Sequence, residues 1–229
     1  MSKRDPLVVT LLALTGVTGL VDAVSFLGLG HVFTANMTGN VVLLGFAVAG
    51  APGLSIARSS TSLVAFLVGA ALGGRLGVAM ATASRRRWLF TAAASEAALL
   101  LAAALVAIGF DIGAAAPPSR LYAVIVLTAV AMGVRNATVR RLAVPDLTTT
   151  VLTLTLTGVA ADSSLAGGDN PRAGRRLASV ALMFAGAALG TVLLQLGLAL
   201  PLVVSGACVL AATAYAALST EGGEYPSVR

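Results

Sequence analysis

Apolar runs long enough to be membrane helices recur six times along the chain, over about 7–29, 58–81, 88–110, 119–142, 176–198 and 200–219. Each reaches the ~20 residues that a hydrocarbon core asks of a spanning helix. Two further runs, 34–50 and 146–161, are shorter. At ~1.5 Å per residue they rise only about 24–26 Å, less than the ~30 Å core. Pro52, Pro117, Pro118, Pro145, Pro171 and Pro201 fall at the ends of these runs, where a proline removes no interior helical bond. The pattern predicts an all-α, polytopic transmembrane bundle with six full spans and two re-entrant or half-length helices.

The first short run opens on an unusually polar stretch, Thr34-Ala35-Asn36-Met37-Thr38-Gly39-Asn40, ahead of the apolar Val41–Gly50. Read as a helix, it puts Thr34 and Thr38 on one face and Asn36 and Asn40 on another about 200° away. Unpaired amides and hydroxyls cost several kcal/mol in hydrocarbon, so such a segment is expected to be enclosed by other helices or to line a wet cavity.

The chain also repeats itself. Gly19-Leu-Val-Asp22-Ala23 aligns with Gly133-Val-Arg-Asn136-Ala137 at an offset of 114, which pairs Asp22 with Asn136 and Thr34 with Thr148. Gly69-Ala-Ala-Leu-Gly73 recurs as Gly186-Ala-Ala-Leu-Gly190 at an offset of 117. Three residues inserted around Gly167 to Gly174 account for the difference. The organisation expected is a first membrane half over 1–114, a second over 115–219, and a polar tail over 220–229.

Charge sets the orientation of these halves. With the N-terminus cytoplasmic and six crossings, eleven Lys and Arg residues lie on the cytoplasmic side against Arg58 and Arg120 outside; if both short runs also cross, the split falls to eight against five. The positive-inside rule selects the six-crossing topology. Three crossings per half is an odd number, so the halves should be inverted, as in many transporters.

Composition narrows the classes. Of 229 residues, 58% are hydrophobic and 10% charged, well under half the charge of a soluble domain. The 15 basic residues against nine acidic ones cluster between apolar runs, so they read as topology signals, and no nucleic-acid partner is expected. The lone Cys208 allows no disulfide within the chain and reads as a small core residue. Lys3-Arg4 followed by Leu7–Leu20 looks like a signal peptide, yet the second half contains a counterpart of it, so an uncleaved first span is expected.

Polar side chains inside the spans are the candidate chemistry. Asp22 lies too deep to reach the near surface, on a stripe with Thr15, Thr18 and Ser25, and is read either as a proton carrier or as a fixed partner of Arg135. Thr149, Thr153 and Thr157 follow i, i+4, i+8 spacing in the second short run. They either bond back to the helix carbonyls or form a hydroxyl stripe that faces Asn36 and Asn40 across a polar, uncharged pathway. Glu96 is the second intramembrane acid, read as an interhelical hydrogen-bond partner, and Arg75 lies near enough to the end of its span to snorkel. His31, the single histidine, precedes the polar stretch as a loop residue. The substrate-pathway set is therefore Asp22, Asn36, Thr38, Asn40, Asn136, Thr149, Thr153 and Thr157. No metalloprotease, aspartyl-protease, serine-hydrolase or phosphate-loop motif occurs, and no cofactor or metal is called for, so the chain is not read as an enzyme.

With Gly19-Leu-Val-Asp22-Ala23-Val-Ser25-Phe26-Leu and Phe33-Thr34-Ala-Asn36-Met37-Thr38-Gly39-Asn40 in view, the sequence resembles the YoaK-like family of bacterial integral membrane proteins, over nearly its whole length. The resemblance implies a bacterial plasma-membrane location and marks Asp22, Asn36, Thr38, Gly39 and Asn40 as signature positions. It names no substrate, since the family is described as a domain of unknown function. The residues lead to a transporter or channel for a small polar solute, coupled to protons through Asp22. The alternative is a non-transporting membrane protein that assembles with or regulates partners. Lipid, a small solute and a second copy of the chain are the partners considered.

Overall fold

The computed structural model describes residues 5–219, and Lys3, Arg4 and the tail 220–229 lie outside the described residues. Eight α-helices account for most of it, with no strand among the described residues. In chain order they are α1 (Pro6–Ala23), α2 (Met37–Val48), α3 (Ile56–Ala79), α4 (Arg85–Val106), α5 (Pro118–Leu142), α6 (Thr153–Ala161), α7 (Ala173–Leu194) and α8 (Ala199–Ser219). A π turn over Val24–Gly28 prolongs α1. Six of these helices, all but α2 and α6, are long and apolar enough to cross a membrane.

Local chemistry sets the helix starts. Asp5 accepts from the Leu7 amide at 2.9 Å with Pro6 at the first helical position, and Asn36, Ser55 and Ser84 cap α2, α3 and α4 in the same way. Each side-chain oxygen satisfies one of the amides a helix start leaves unpaired. Pro117 and Pro118 open α5. The start of α6 has no side-chain cap.

Both short runs are trimmed relative to the sequence reading. α2 begins at Met37, so Thr34 and Asn36 precede the helix, and the two-faced helical reading of 34–40 fails. α6 begins at Thr153 because Asp146 and Thr149 take left-handed backbone angles, φ 64° and 63°. Thr148 turns its hydroxyl onto the Val151 carbonyl at 2.8 Å, the local side-chain bonding by which Ser and Thr compete with helix. Thr149 therefore stands outside the helix that carries Thr153 and Thr157.

α1 and α5 are the most enclosed helices. α1 packs on α7 and α8, α5 packs on α3 and α4, α4 and α8 meet each other, α2 lies on α3, and α6 on α7. Glycines permit the closest of these approaches. A Cβ at Gly69 would strike the Val130 backbone and one at Gly133 the Phe66 and Ala70 backbone, while Gly73 lies against Val134 and Ala137. On the other side a Cβ at Gly186 would strike Gly16, one at Gly19 would strike Met183 and Ala187, and Gly190 lies against Leu20 and Ala23. Without Cβ atoms the backbones come close enough for extensive dispersion contact, the attraction that remains when lipid offers no hydrophobic drive.

These contacts fix helix directions. Residue numbers rise together along α3 and α5 and along α1 and α7, so each pair is parallel. Arg135 reaches Leu14 and Thr18, whereas Thr138 and Leu142 share a small cavity with Thr10 and Leu11, so α1 and α5 run antiparallel. The largest polar feature of the core is Arg135. Its Nε donates to Glu96 Oε1 at 2.8 Å, Nη2 donates to the same oxygen, and Nη1 donates to Thr18 Oγ1 at 2.8 Å and the Leu14 carbonyl at 3.0 Å. One guanidinium thereby ties α1, α4 and α5 together.

Candidate functional site

The ion pair expected between Asp22 and Arg135 is corrected by this arrangement: Arg135 pairs with Glu96, both side chains nearly inaccessible at 1% and 4% exposure. α4 and α5 are consecutive and pack together, which puts Glu96 beside Arg135, whereas Asp22 lies one turn beyond Thr18 on α1. Glu96 is thus the interhelical partner its position suggested, bonded to a cation. Arg75 is exposed four residues before the end of α3, where its head can reach the interface.

Asp22, which makes no ion pair with Arg135, lines a cavity of about 440 Å³. Its Oδ1 is shielded from solvent and has no hydrogen-bond partner among the described residues. The same cavity is lined by Asn36, Thr38 and Gly39 from the start of α2 and by Thr150, Leu152 and Thr153 from the start of α6. The N-terminal ends of both short helices therefore face one space, and each carries a partial positive charge from its unpaired amides. Phe33, Val42, Leu43, Val151 and Met183 complete the wall.

Asn36 holds its place by accepting from the Gly39 amide at 3.1 Å. At α6 the first backbone bond is donated by Leu156 to the Leu152 carbonyl at 2.8 Å, which leaves the amides of Thr153, Leu154 and Thr155 without a partner among the described residues. Thr34 and Thr149, in the stretches leading into the two helices, are buried with unpartnered hydroxyls. The π turn begins two residues after Asp22, and Ser25 donates to the Asp22 carbonyl at 3.2 Å.

A second cavity, about 950 Å³, lies between α3, α5 and the stretch before α6. Asn136, Thr148, Arg140 and Arg141 line it, and Thr150 and Val151 belong to both cavities. Thr150 donates to Asn136 Oδ1 at 2.8 Å, and Asn136 donates to the Met132 carbonyl at 2.8 Å. That bond is the polar part of the wall between the two spaces.

The remaining expected residues are separated from the cavity. Asn40 is fully buried and structural: its Oδ1 accepts from the Phe33 amide at 2.9 Å, and its Nδ2 donates to the Phe33 carbonyl and to Ser62 Oγ. It clamps the polar stretch and α2 onto α3. Thr157 returns its hydroxyl to the Thr153 carbonyl at 2.9 Å on an exposed face. Thr150 and Met183, outside the expected pathway set, also line the cavity.

A different cluster secures α6 to α7. Asp146 pairs with both Arg172 and Arg176, and Arg176 also donates to Asp162 at 2.7 Å and to the Gly158 carbonyl. Burial alone would raise the Asp146 carboxyl, but hydrogen bonds and charge from the two guanidiniums outweigh it and hold the group below its usual range.

No solved structure matches the chain. The UPF0700 transmembrane protein YoaK of Bacillus subtilis (strain 168) is 34% identical over 157 residues, covering 68% of this chain and 67% of that protein. Residues 10–215 match the family described as protein of unknown function, DUF1275. A multi-pass membrane chain with this match belongs to the DUF1275 family of YoaK-like proteins.

Proposed function

We propose that the protein is a transporter or channel for a small polar solute, which it binds between two half-length helices that enter the bilayer from opposite faces. The observation that carries this reading is the 440 Å³ cavity where Asp22 meets the starts of both α2 and α6. Polar backbone ends at membrane depth are tolerated only where they line a cavity or are buried in protein. Discontinuous helices whose N-termini face a shared site are a recurrent way of binding solutes in transporters.

An inverted two-fold repeat underlies this architecture. In its support, Gly69 lies over Val130 and Gly186 over Gly16, Gly73 over Val134 and Gly190 over Leu20. Each contact becomes its partner under the offsets of 114 and 117 read from the sequence. The antiparallel course of α1 and α5 and the parallel pairs α3/α5 and α1/α7 argue for six crossings, with α2 and α6 each returning to the side they leave. The two cavities follow the same relation, Asp22, Phe33, Asn36 and Met183 in one answering Asn136, Leu147, Thr150 and Phe66 in the other. The distribution of arginines supports a cytoplasmic N-terminus in a bacterial inner membrane. Thr150 and Val151, shared by both cavities, form the barrier a solute would cross, and Asp22 is the group that would couple its passage to protons.

Shrinkage and swelling of proteoliposomes challenged with small neutral, zwitterionic and singly charged solutes tests the reading. At least one solute should cross faster than in protein-free vesicles, and Thr38→Trp, which fills the cavity, should abolish the difference. Equal rates with and without protein for every solute would overturn it.

A further inference from the structure

Resting on that functional reading, we propose that the cavity between α2 and α6 binds a zwitterion, an α-amino acid with a small apolar side chain. Three features of one space define this chemistry. Asp22 supplies a carboxylate whose Oδ1 is enclosed and unpartnered, an acceptor suited to an ammonium group. The starts of α2 and α6 supply the opposite pole. Asn36 satisfies only the Gly39 amide of α2, α6 begins uncapped, and Thr38 and Thr153 of the two first turns line the cavity, so each helix start offers amide donors to a ligand carboxylate. Phe33, Val42, Leu43, Val151 and Met183 form the apolar remainder of the wall, which suits an alkyl side chain.

Charge balance selects the zwitterion over its halves. Each helix start is worth about half a positive charge, so two of them roughly match Asp22. A simple anion at the amides would leave Asp22 uncompensated beside it, and a simple cation at Asp22 would meet two positive helix ends. A zwitterion satisfies both poles and adds no net charge to a site at membrane depth. Volume agrees, since 440 Å³ accommodates a molecule of this size with a few waters at about 30 Å³ each.

The test uses the full-length protein in lipid nanodiscs and calorimetric titration with L-alanine, L-valine and L-leucine. It adds propionate and ethylammonium, which are alanine without its amine and alanine without its carboxylate. At least one amino acid should bind about tenfold or more tightly than either single-charge analogue. Asp22→Asn should weaken amino-acid binding about tenfold while leaving propionate unchanged. Asn36→Asp preserves the α2 cap but sets a negative charge beside the ligand carboxylate, so it should weaken the amino acid and propionate and spare ethylammonium. Propionate or ethylammonium binding as tightly as the best amino acid, or no amino acid binding at all, would overturn the proposal. Amino-acid binding without flux would leave it standing and remove the transport reading; flux of another solute without amino-acid binding would do the reverse.

Discussion

Replacing Glu96 by Gln preserves shape and an acceptor oxygen but removes the charge that compensates Arg135. Both side chains are nearly inaccessible, and among the described residues the other hydrogen-bond partners of Arg135 are the neutral oxygens of Leu14 and Thr18. Removing one member of such a pair strands a buried charge and costs about 3–5 kcal/mol. At roughly 2–4 °C per kcal/mol for a chain of this length, on the scale of soluble domains, the unfolding temperature should fall by about 6–20 °C. Thermal unfolding of the purified protein, followed at one scan rate through size-exclusion monodispersity, measures the drop. The double variant Glu96→Gln with Arg135→Gln should recover part of it, because the residual charge is gone. An unfolding temperature for Glu96→Gln within about a degree of the parent, or no recovery in the double variant, would refute the assignment of this pair as the tie between α1, α4 and α5.

Asp22→Asn, by contrast, breaks no ion pair, so it should leave the unfolding temperature nearly unchanged while abolishing pH dependence of solute flux in proteoliposomes; persistent pH dependence would remove the coupling role. Gly186→Ala and Gly69→Ala should each destabilise by about 1–3 kcal/mol through overpacking, whereas Gly74→Ala, which meets nothing within 4 Å, should not. Asp146 has a folded-state carboxyl held below its unfolded value by Arg172 and Arg176, so its contribution is fully present above about pH 4 and disappears as pH falls through the folded value. The stability difference between the parent and Asp146→Asn should accordingly be flat at neutral pH and shrink in acid, and a difference that grows in acid would reverse the sign argued here.

The six spans were legible because each needs one long apolar run, and proline or capping residues mark where those runs stop. The second short helix was legible only in part. Thr148 to Thr150 continue an apolar-looking segment, but the Thr148 hydroxyl bonds locally to Val151, Thr150 turns to Asn136 and Thr149 takes a left-handed angle, so seven residues assigned to that run are a loop. Asp22 was legible as an intramembrane acid, and Asn36 and Thr38 as polar residues that prove to line the same cavity. The partner of Arg135 was not, because two acids and one deep cation admit two pairings until helix neighbours are known. The adjacency of α4 and α5 in the chain was the available hint. Asn40 misled for a related reason: a buried amide that recognises a solute and one that clamps Phe33 and Ser62 have the same sequence signature.

Sidedness of the loops around the two short helices tests the architecture most directly. Single cysteines at His31, Pro52, Pro145 and Leu165, all exposed, would be introduced into a Cys208→Ala background and labelled in intact cells with a membrane-impermeant thiol reagent. Positions 31 and 52, which flank α2, should both react from outside, and positions 145 and 165, which flank α6, should both react only after the membrane is opened. Opposite labelling within either pair would mean that its short helix crosses the bilayer, and the shared cavity between two inward-pointing helix starts would no longer follow.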